Sequence, residues 1–179
     1  SVARLAHHID QTGTDEALAL PQVSPDPDHA LAPFPLNPIQ QAYWLGRQSG
    51  FELGQVAAQG YIEFDLDDIR QLDTSRLEHA WRGLIARHPM LRTVILSSGQ
   101  QQVLDDVPAY SIAVTDLQAL DDTTLATRLA SIRHTESHRV SDPGTWPLFD
   151  CQLLQLPGQK GRLLLRIDAL IMDAGSIFL

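Results

Sequence analysis

An apolar run interrupted by two carboxylates does most to constrain how this chain can fold. Residues 163–172 are almost entirely hydrophobic, yet Asp168 lies within the run and Asp173 follows it directly. A buried carboxylate that is left unpaired costs several kcal/mol, because the charge loses its hydration. We therefore expect each of the two carboxylates to have a cation, hydrogen-bond donors or a proton as its partner.

The segment around this run predicts a β-hairpin. Two apolar segments, 148–156 and 162–168, flank a loop at 157–161 that contains Pro157, Gly158 and Gly161, a pattern typical of a hairpin. A second hairpin is predicted over 91–96 and 101–104, and a strand over 56–66. Helices are predicted after Asn37, which precedes a proline, and over about 74–88 and 122–138. Helices interspersed with hairpins favour an α+β sandwich.

The predicted helices each show an apolar face. Ser75 and Glu78 are spaced for a capping box at the start of the second helix, and Pro89 ends that helix. Ile39, Ala42, Tyr43 and Gly46 share one face of the first helix. The faces expected to be buried are Leu77, Ala80, Trp81, Leu84 and Ile85 in the second helix, and Leu125, Leu129 and Ile132 in the third.

The N-terminal region differs in composition from the rest of the chain. Residues 1–9 have apolar residues at helical spacing, whereas residues 10–33 lose this periodicity and contain four prolines among acidic residues. That composition is typical of an extended acidic linker. We expect the compact part to begin near Phe34.

Composition excludes several classes of function. A net charge of −9 argues against a general nucleic-acid binder. Neither end has an apolar run long enough to span a bilayer or a signal-peptide layout, so no membrane partner is expected. Cys151 is the single cysteine, which excludes an internal disulfide and fits a reducing cytoplasm. Residues 173–179 read like the first turn of an apolar helix, so we expect the chain to be a piece of something larger.

Other candidate groups are weaker. His134 and His138 are four residues apart on a predicted helix, but a third metal ligand at recognisable spacing is missing, which favours a solvated helix face. Cys151 has no activating neighbour and is interpreted as a buried structural thiol. Neither a nucleophile elbow nor a phosphate-binding glycine loop is found. The metal-enzyme and NTPase hypotheses are therefore set aside.

The residues alone leave two interpretations of the carboxylate pair. In one, Asp173 is the N-cap of a helix and Asp168 merely ends a strand. In the other, the pair lines a cavity, and one member has a shifted pKa suited to proton transfer. Arg87 and Arg92 flank the joint between the second helix and the next strand. Either is a suitable cation for a buried ion pair with Asp173, since a guanidinium can bind a carboxylate through two hydrogen bonds.

Three segments resemble motifs of the heterocyclization domains of nonribosomal peptide synthetases. Residues 34–47 resemble their opening motif, with Phe34-Pro35-Leu36 at its start, Ala42-Tyr43 within it and Gly46-Arg47 at its end. Residues 87–92 resemble the second motif. Residues 168–176 match an Asp-x4-Asp-x2-Ser signature through Asp168, Asp173 and Ser176, where ordinary condensation domains have a double histidine. One departure is Asn37, where a hydroxyl residue is more usual; both cap helices.

The resemblance implies a chloramphenicol-acetyltransferase-like fold of two lobes around a tunnel, of which residues 34–179 would supply the N-terminal lobe. It implies that residues 1–9 are the last helix of a carrier protein and residues 10–33 the linker. It also implies a reaction in which a carrier-bound acyl donor is condensed with carrier-bound cysteine, serine or threonine and then cyclodehydrated to a thiazoline or oxazoline. The expected partners are upstream and downstream carrier domains and a C-terminal lobe. No cofactor is expected in the domain itself, only the phosphopantetheine arms of the carriers.

The resemblance also favours a functional tunnel site for the two carboxylates. Asp168 falls where the first histidine of ordinary condensation domains would be, and Ala169 replaces the second, so Asp168 is a candidate general acid or base. For Asp173 a structural ion pair with Arg87 or Arg92 is preferred over a catalytic role, and Ser176 is a further candidate. Two alternatives are a non-catalytic lobe that only binds carriers and a plain amide-forming condensation domain.

Overall fold

The computed structural model describes residues 24–48, 56–173 and 175–176. The chain divides into two units, residues 1–30 and 31–179. Of the first unit, residues 24–30 are described and contain a 3-10 turn, Pro27–His29. The helix predicted over residues 1–9 and most of the linker predicted over residues 10–33 lie outside the described residues.

The second unit is a mixed α+β fold, which confirms the predicted fold class. Its three helices are α1 (Pro38–Leu45), α2 (Thr74–Arg87) and α3 (Asp122–Ser137). Its strands are β1 (Phe34–Pro35), β2 (Gln59–Leu66), β3 (Thr93–Ile95), β4 (Gln100–Val103), β5 (Ala113–Asp116), β6 (Phe149–Leu156) and β7 (Lys160–Asp168).

The strands form two sheets. The larger has the order β2-β7-β6-β5, and the smaller has the order β1-β4-β3. β6 and β7 are the predicted hairpin, with Cys151 opposite Leu165, and β2 pairs with β7 along its whole length. β3 and β4 are the second predicted hairpin, and Gly99 in their connection has a φ of +77°, which favours glycine. Both hairpin predictions are confirmed.

Hydrophobic residues cover both faces of the larger sheet. On one face, Phe149 and Leu153 pack in a cluster that includes Trp81 and Ile85 of α2. On the other, Leu154 and Leu164 pack against α3 through its predicted inward residues Leu125, Leu129 and Ile132. Because both faces of the larger sheet are covered, β7 lacks the alternating hydrophobic pattern of a half-exposed strand.

Local details differ from the sequence prediction at the start of α2. α2 begins after Asp73, whose carboxylate accepts hydrogen bonds from the backbone N–H groups of Ser75 and Arg76. The capping box predicted for Ser75 and Glu78 is therefore wrong, because an aspartate two residues earlier takes the capping position. Glu78 accepts a hydrogen bond from the Ile112 backbone N–H instead.

The face of α1 that carries Ile39 and Tyr43 is turned outward. Ile39 is 64% exposed and Tyr43 is 36% exposed, whereas Gln40 is buried. The N-cap prediction for this helix is confirmed: the Asn37 side chain accepts from the Gln40 N–H at 2.8 Å, and the Gln40 side chain accepts from the Asn37 N–H at 2.9 Å. Polar anchoring, and not burial of the apolar face, fixes this helix.

Candidate functional site

Asp168 lies at the end of β7 and is completely buried, with a relative exposure of 0%. One carboxylate oxygen, Oδ2, accepts a hydrogen bond from Arg47 Nη2, forming an ion pair in which both side chains are buried. The other, Oδ1, accepts from the Leu170 backbone N–H at 2.9 Å. The partner that a buried carboxylate requires is therefore Arg47, which is 121 residues away in the sequence.

Asp168 also organises the turn that follows β7. Its backbone N–H donates to the Leu148 carbonyl, and its own carbonyl accepts from the Ile171 N–H. Together with the bond from its carboxylate to Leu170, these contacts fix the chain at 168–171. The carboxylate has no accessible surface in this structure, so the proton-transfer role expected for Asp168 stays a prediction that its burial disfavours.

Arg47 is held in place because α1 is anchored to the same turn. Gln40 donates a hydrogen bond to the Leu170 carbonyl at 2.7 Å and exchanges hydrogen bonds with the buried Gln101 side chain at 3.1 Å. Gln101 also donates to the Pro35 carbonyl. This buried pair of amides connects α1, β4 and the turn after β7. Because α1 is held there, Arg47, which follows the helix, lies within reach of Asp168.

Asp173 is exposed and plays a different role. Its Oδ1 accepts hydrogen bonds from the backbone N–H of Ser176 at 2.7 Å and from the Ser176 hydroxyl at 2.8 Å. These hydrogen bonds lower the pKa of the Asp173 carboxyl, because they stabilise its charged form. Asp173 is therefore ionised at neutral pH, so it is not suited to donate a proton.

The ion pair predicted between Asp173 and Arg87 or Arg92 is not formed, so this prediction is wrong. Arg92 donates to the carbonyls of Ile85 and Ala86 at the end of α2 and to the Leu104 carbonyl. Arg87 is exposed and forms no ion pair with any described residue. Arg92 is retained by the carbonyls that α2 leaves unsatisfied at its C-terminus, where a cation also compensates the helix dipole.

An open cleft of about 540 Å³ lies between the outward face of α1 and the turn after β7. Asp173 and Ser176 line it, together with Ile39, Tyr43, Met90 and Ala169. Asp168 does not line the cleft, because its side chain points into the ion pair on the other side of the turn. The cleft therefore brings together two of the three predicted site residues and excludes the third.

Sequence reasoning missed a second buried cation, Arg166. Its side chain donates a weak hydrogen bond of 3.4 Å to Gln59, and its Nε has no hydrogen-bond partner among the residues that the structure describes. Burial, followed by the nearby charge of Arg139, lowers the pKa of Arg166. An arginine in an apolar strand was the available signal, since such a residue is rarely buried without a reason.

The weaker candidates behave as structural or surface groups. His134 and His138 are exposed, and across the described ranges no cluster of three metal-ligating side chains is found. Cys151 is buried as predicted, and desolvation raises its pKa to about 11, which disfavours the reactive thiolate. Within the described ranges, no helix is long and apolar enough to cross a bilayer.

This part of the chain is an α+β lobe that contains an open cleft and a buried arginine–aspartate ion pair. The sequence model of the condensation domain matches residues 32–178. The chain belongs to the condensation-domain family.

Relatives within this family include heterocyclization domains, as predicted. Phenyloxazoline synthase MbtB of Mycobacterium sp. (strain MCS) is 43% identical over 84% of the chain, and bacitracin synthase 1 of Bacillus licheniformis is 36% identical over 85%. The crystal structure of the EpoB cyclization-docking bidomain from Sorangium cellulosum superposes with a TM-score of 0.82, at 36% identity over 98% of the chain. The chain spans 12%, 3% and 35% of these proteins, respectively.

Proposed function

We propose that residues 34–179 form the N-terminal lobe of a heterocyclization domain. The lobe takes part in condensing a carrier-bound acyl donor with carrier-bound cysteine, serine or threonine, and in cyclodehydrating the product to a thiazoline or oxazoline. The observation that carries the proposal is that Ala169, Asp173 and Ser176 of the signature segment line the cleft. The resemblance places the double histidine of amide-forming relatives at Asp168 and Ala169. The phenyloxazoline product named for a 43% identical relative supports it.

The chemistry has two stages with different demands. In the first, the acceptor amine attacks the donor thioester carbonyl and the carrier thiol leaves, a step that depends largely on holding the two groups in register. In the second, the acceptor thiol or hydroxyl attacks the new amide carbonyl, and the oxygen of that carbonyl leaves as water. This second stage requires protons to be moved, so it benefits from a positioned acid or base.

The geometry divides the three predicted site residues between two roles. Asp173 reaches the cleft as a charged carboxylate, so its position assigns it as an anchor for the substrate or as a base. Ser176 holds that carboxylate through its hydroxyl and its backbone N–H. Asp168 acts as a positioning residue, because its ion pair with Arg47 and its bond to Leu170 fix the turn that carries Asp173.

The proposed partners are an upstream and a downstream carrier domain, each with a phosphopantetheine arm, and a C-terminal lobe that closes the other side of the cleft. No cofactor is assigned to this lobe itself. The cleft is open on one side in this chain, which is where a second lobe would complete a tunnel.

Intact-mass analysis of the acceptor carrier tests the proposal. With the complete domain and both loaded carriers, we expect a product one water lighter than the simple amide. The Asp173→Asn domain should form the amide but lose water more slowly, because the base is neutralised, whereas Asp168→Asn should impair both stages by loosening the turn. An amide that never loses water would identify a plain condensation domain. Carrier binding without any product would identify a docking lobe.

A further inference from the structure

The amide side chains that line the cleft are hydrogen-bonded within the protein. The side-chain nitrogen of Gln40 donates to Leu170 and Gln101, and its side-chain oxygen accepts from the Asn37 N–H. Gln59 donates to the Ser137 carbonyl at 2.8 Å. The Asp173 carboxylate accepts its two bonds from Ser176. The amide side chains therefore have little left to bind a substrate, whereas Asp173 Oδ2 accepts no hydrogen bond from a described residue.

The remaining cleft surface is apolar and lacks a cation. Ile39 and Tyr43 project from α1 on one side, and Met90, Ala58, Ala169 and Met172 contribute further apolar surface. Among the described residues that line the cleft, none is lysine, arginine or histidine. Of the two buried arginines, Arg47 is neutralised by Asp168. Arg166 donates to the cleft-lining Gln59 but does not itself line the cleft. The one ionised group at the cleft is Asp173, which would repel another carboxylate.

We propose that this cleft selects an uncharged, apolar acyl group on the carrier-bound donor, and that Ile39 is a specificity-determining residue. The proposal rests on the proposed function, because it assigns the cleft to the donor of that reaction. The acceptor side chains of cysteine, serine and threonine are small, so they gain less from these apolar walls than an acyl chain does. An apolar acyl chain gains from contact with these walls, whereas a carboxylate there would lose its hydration without an ion-pair partner.

The exposure of Ile39 makes it a suitable position for a test. Its side chain is 64% exposed, so a longer polar residue there does not disturb the core. Leu84 on α2 is 44% exposed, is also helical, and does not line the cleft. Leu84→Lys is therefore a matched control for Ile39→Lys, with the same change of charge at another exposed helical position.

The experiment uses the complete domain with a donor carrier loaded either with an adipoyl group or with its hydrocarbon isostere, in which an isopropyl group replaces the terminal carboxylate. The two acyl groups have the same shape and differ in charge. Amide formation on the acceptor carrier is measured by intact mass under single-substrate and competition conditions. For the unmodified domain we expect kcat/KM to favour the hydrocarbon group at least ~10-fold, because a pocket discriminates strongly against a group whose polar atoms it leaves unpaired.

The Ile39→Lys domain should accept the adipoyl group at least ~10-fold better than the unmodified domain, because the added ammonium can pair with the carboxylate. Such a gain cannot come from misfolding. Leu84→Lys should leave the preference of the unmodified domain unchanged. Equal use of both acyl groups by the unmodified domain, or no gain with Ile39→Lys, overturns the inference.

The readout separates this inference from the proposed function. The acyl preference is measured on amide formation, while the proposed function is judged by the loss of water that follows. A domain that prefers the hydrocarbon donor but never loses water contradicts only the cyclodehydration. A domain that loses water but does not discriminate between the donors contradicts only the acyl selectivity.

Discussion

The two carboxylates of the 168–176 segment lie five positions apart but occupy opposite environments. Asp168 is fully buried in an ion pair with Arg47, whereas Asp173 is exposed and bound by its own near neighbour Ser176. The buried group has a long-range partner, and the exposed group has a local one. The comparison teaches that one short motif can join a buried structural anchor to an exposed group that lines a cleft.

The largest effect on the free energy of unfolding is expected when the buried Arg47–Asp168 ion pair is broken. Arg47→Met in the complete domain should lower the free energy of unfolding by about 3–5 kcal/mol, because Asp168 is left as an uncompensated buried charge. Urea unfolding measures this difference. The double variant Arg47→Met/Asp168→Leu should recover most of the loss, since both charges are removed together. A double variant no more stable than the single one would contradict the ion pair as the cause.

A smaller loss of stability is expected on replacing Arg92, and it should distinguish Arg92 from Arg87. Arg92→Met should lower the free energy of unfolding by about 1.5–3 kcal/mol, because three carbonyls lose a charged donor. Arg87→Met is the matched control and should change it by about 0.5 kcal/mol or less, as for other exposed residues. Thermal and urea unfolding of the two variants measure the contrast. Equal losses would show that Arg92 has no special role at the end of α2.

The smallest effect is expected at Asp173, and it should depend on pH. Its folded pKa is lowered, so its contribution to stability is fully present above the ordinary carboxyl pKa of about 3.9 and is lost as the pH falls through the lower folded value. Asp173→Asn keeps the acceptor oxygen but removes the charge. Unfolding curves from about pH 7 to about pH 3 should therefore converge for the variant and the unmodified domain at the acid end. Curves that stay parallel would show that the Asp173 charge does not stabilise the fold.

Much of the fold could be predicted because its signals are local. The β6–β7 hairpin follows from two apolar runs around a proline-glycine loop, and the start of α1 follows from Asn37 before a proline. β5 was missed, because a four-residue strand that joins β6 in parallel has no turn signal to mark it. The cap of α2 was misplaced because Asp73 and Ser75 both suit that position, and local sequence does not rank them reliably.

The sequence by itself determined the family, the fold class and the requirement that the buried Asp168 has a partner, since these depend on motif order, hydrophobic pattern and the cost of desolvating a charge. Only the tertiary structure decided which arginine that partner is and which face of α1 points outward. Arg47 pairs with Asp168 because α1 is anchored through Gln40 and Gln101 beside the turn after β7. Contacts between residues more than a hundred positions apart depend on how the chain crosses itself, and no local pattern encodes that.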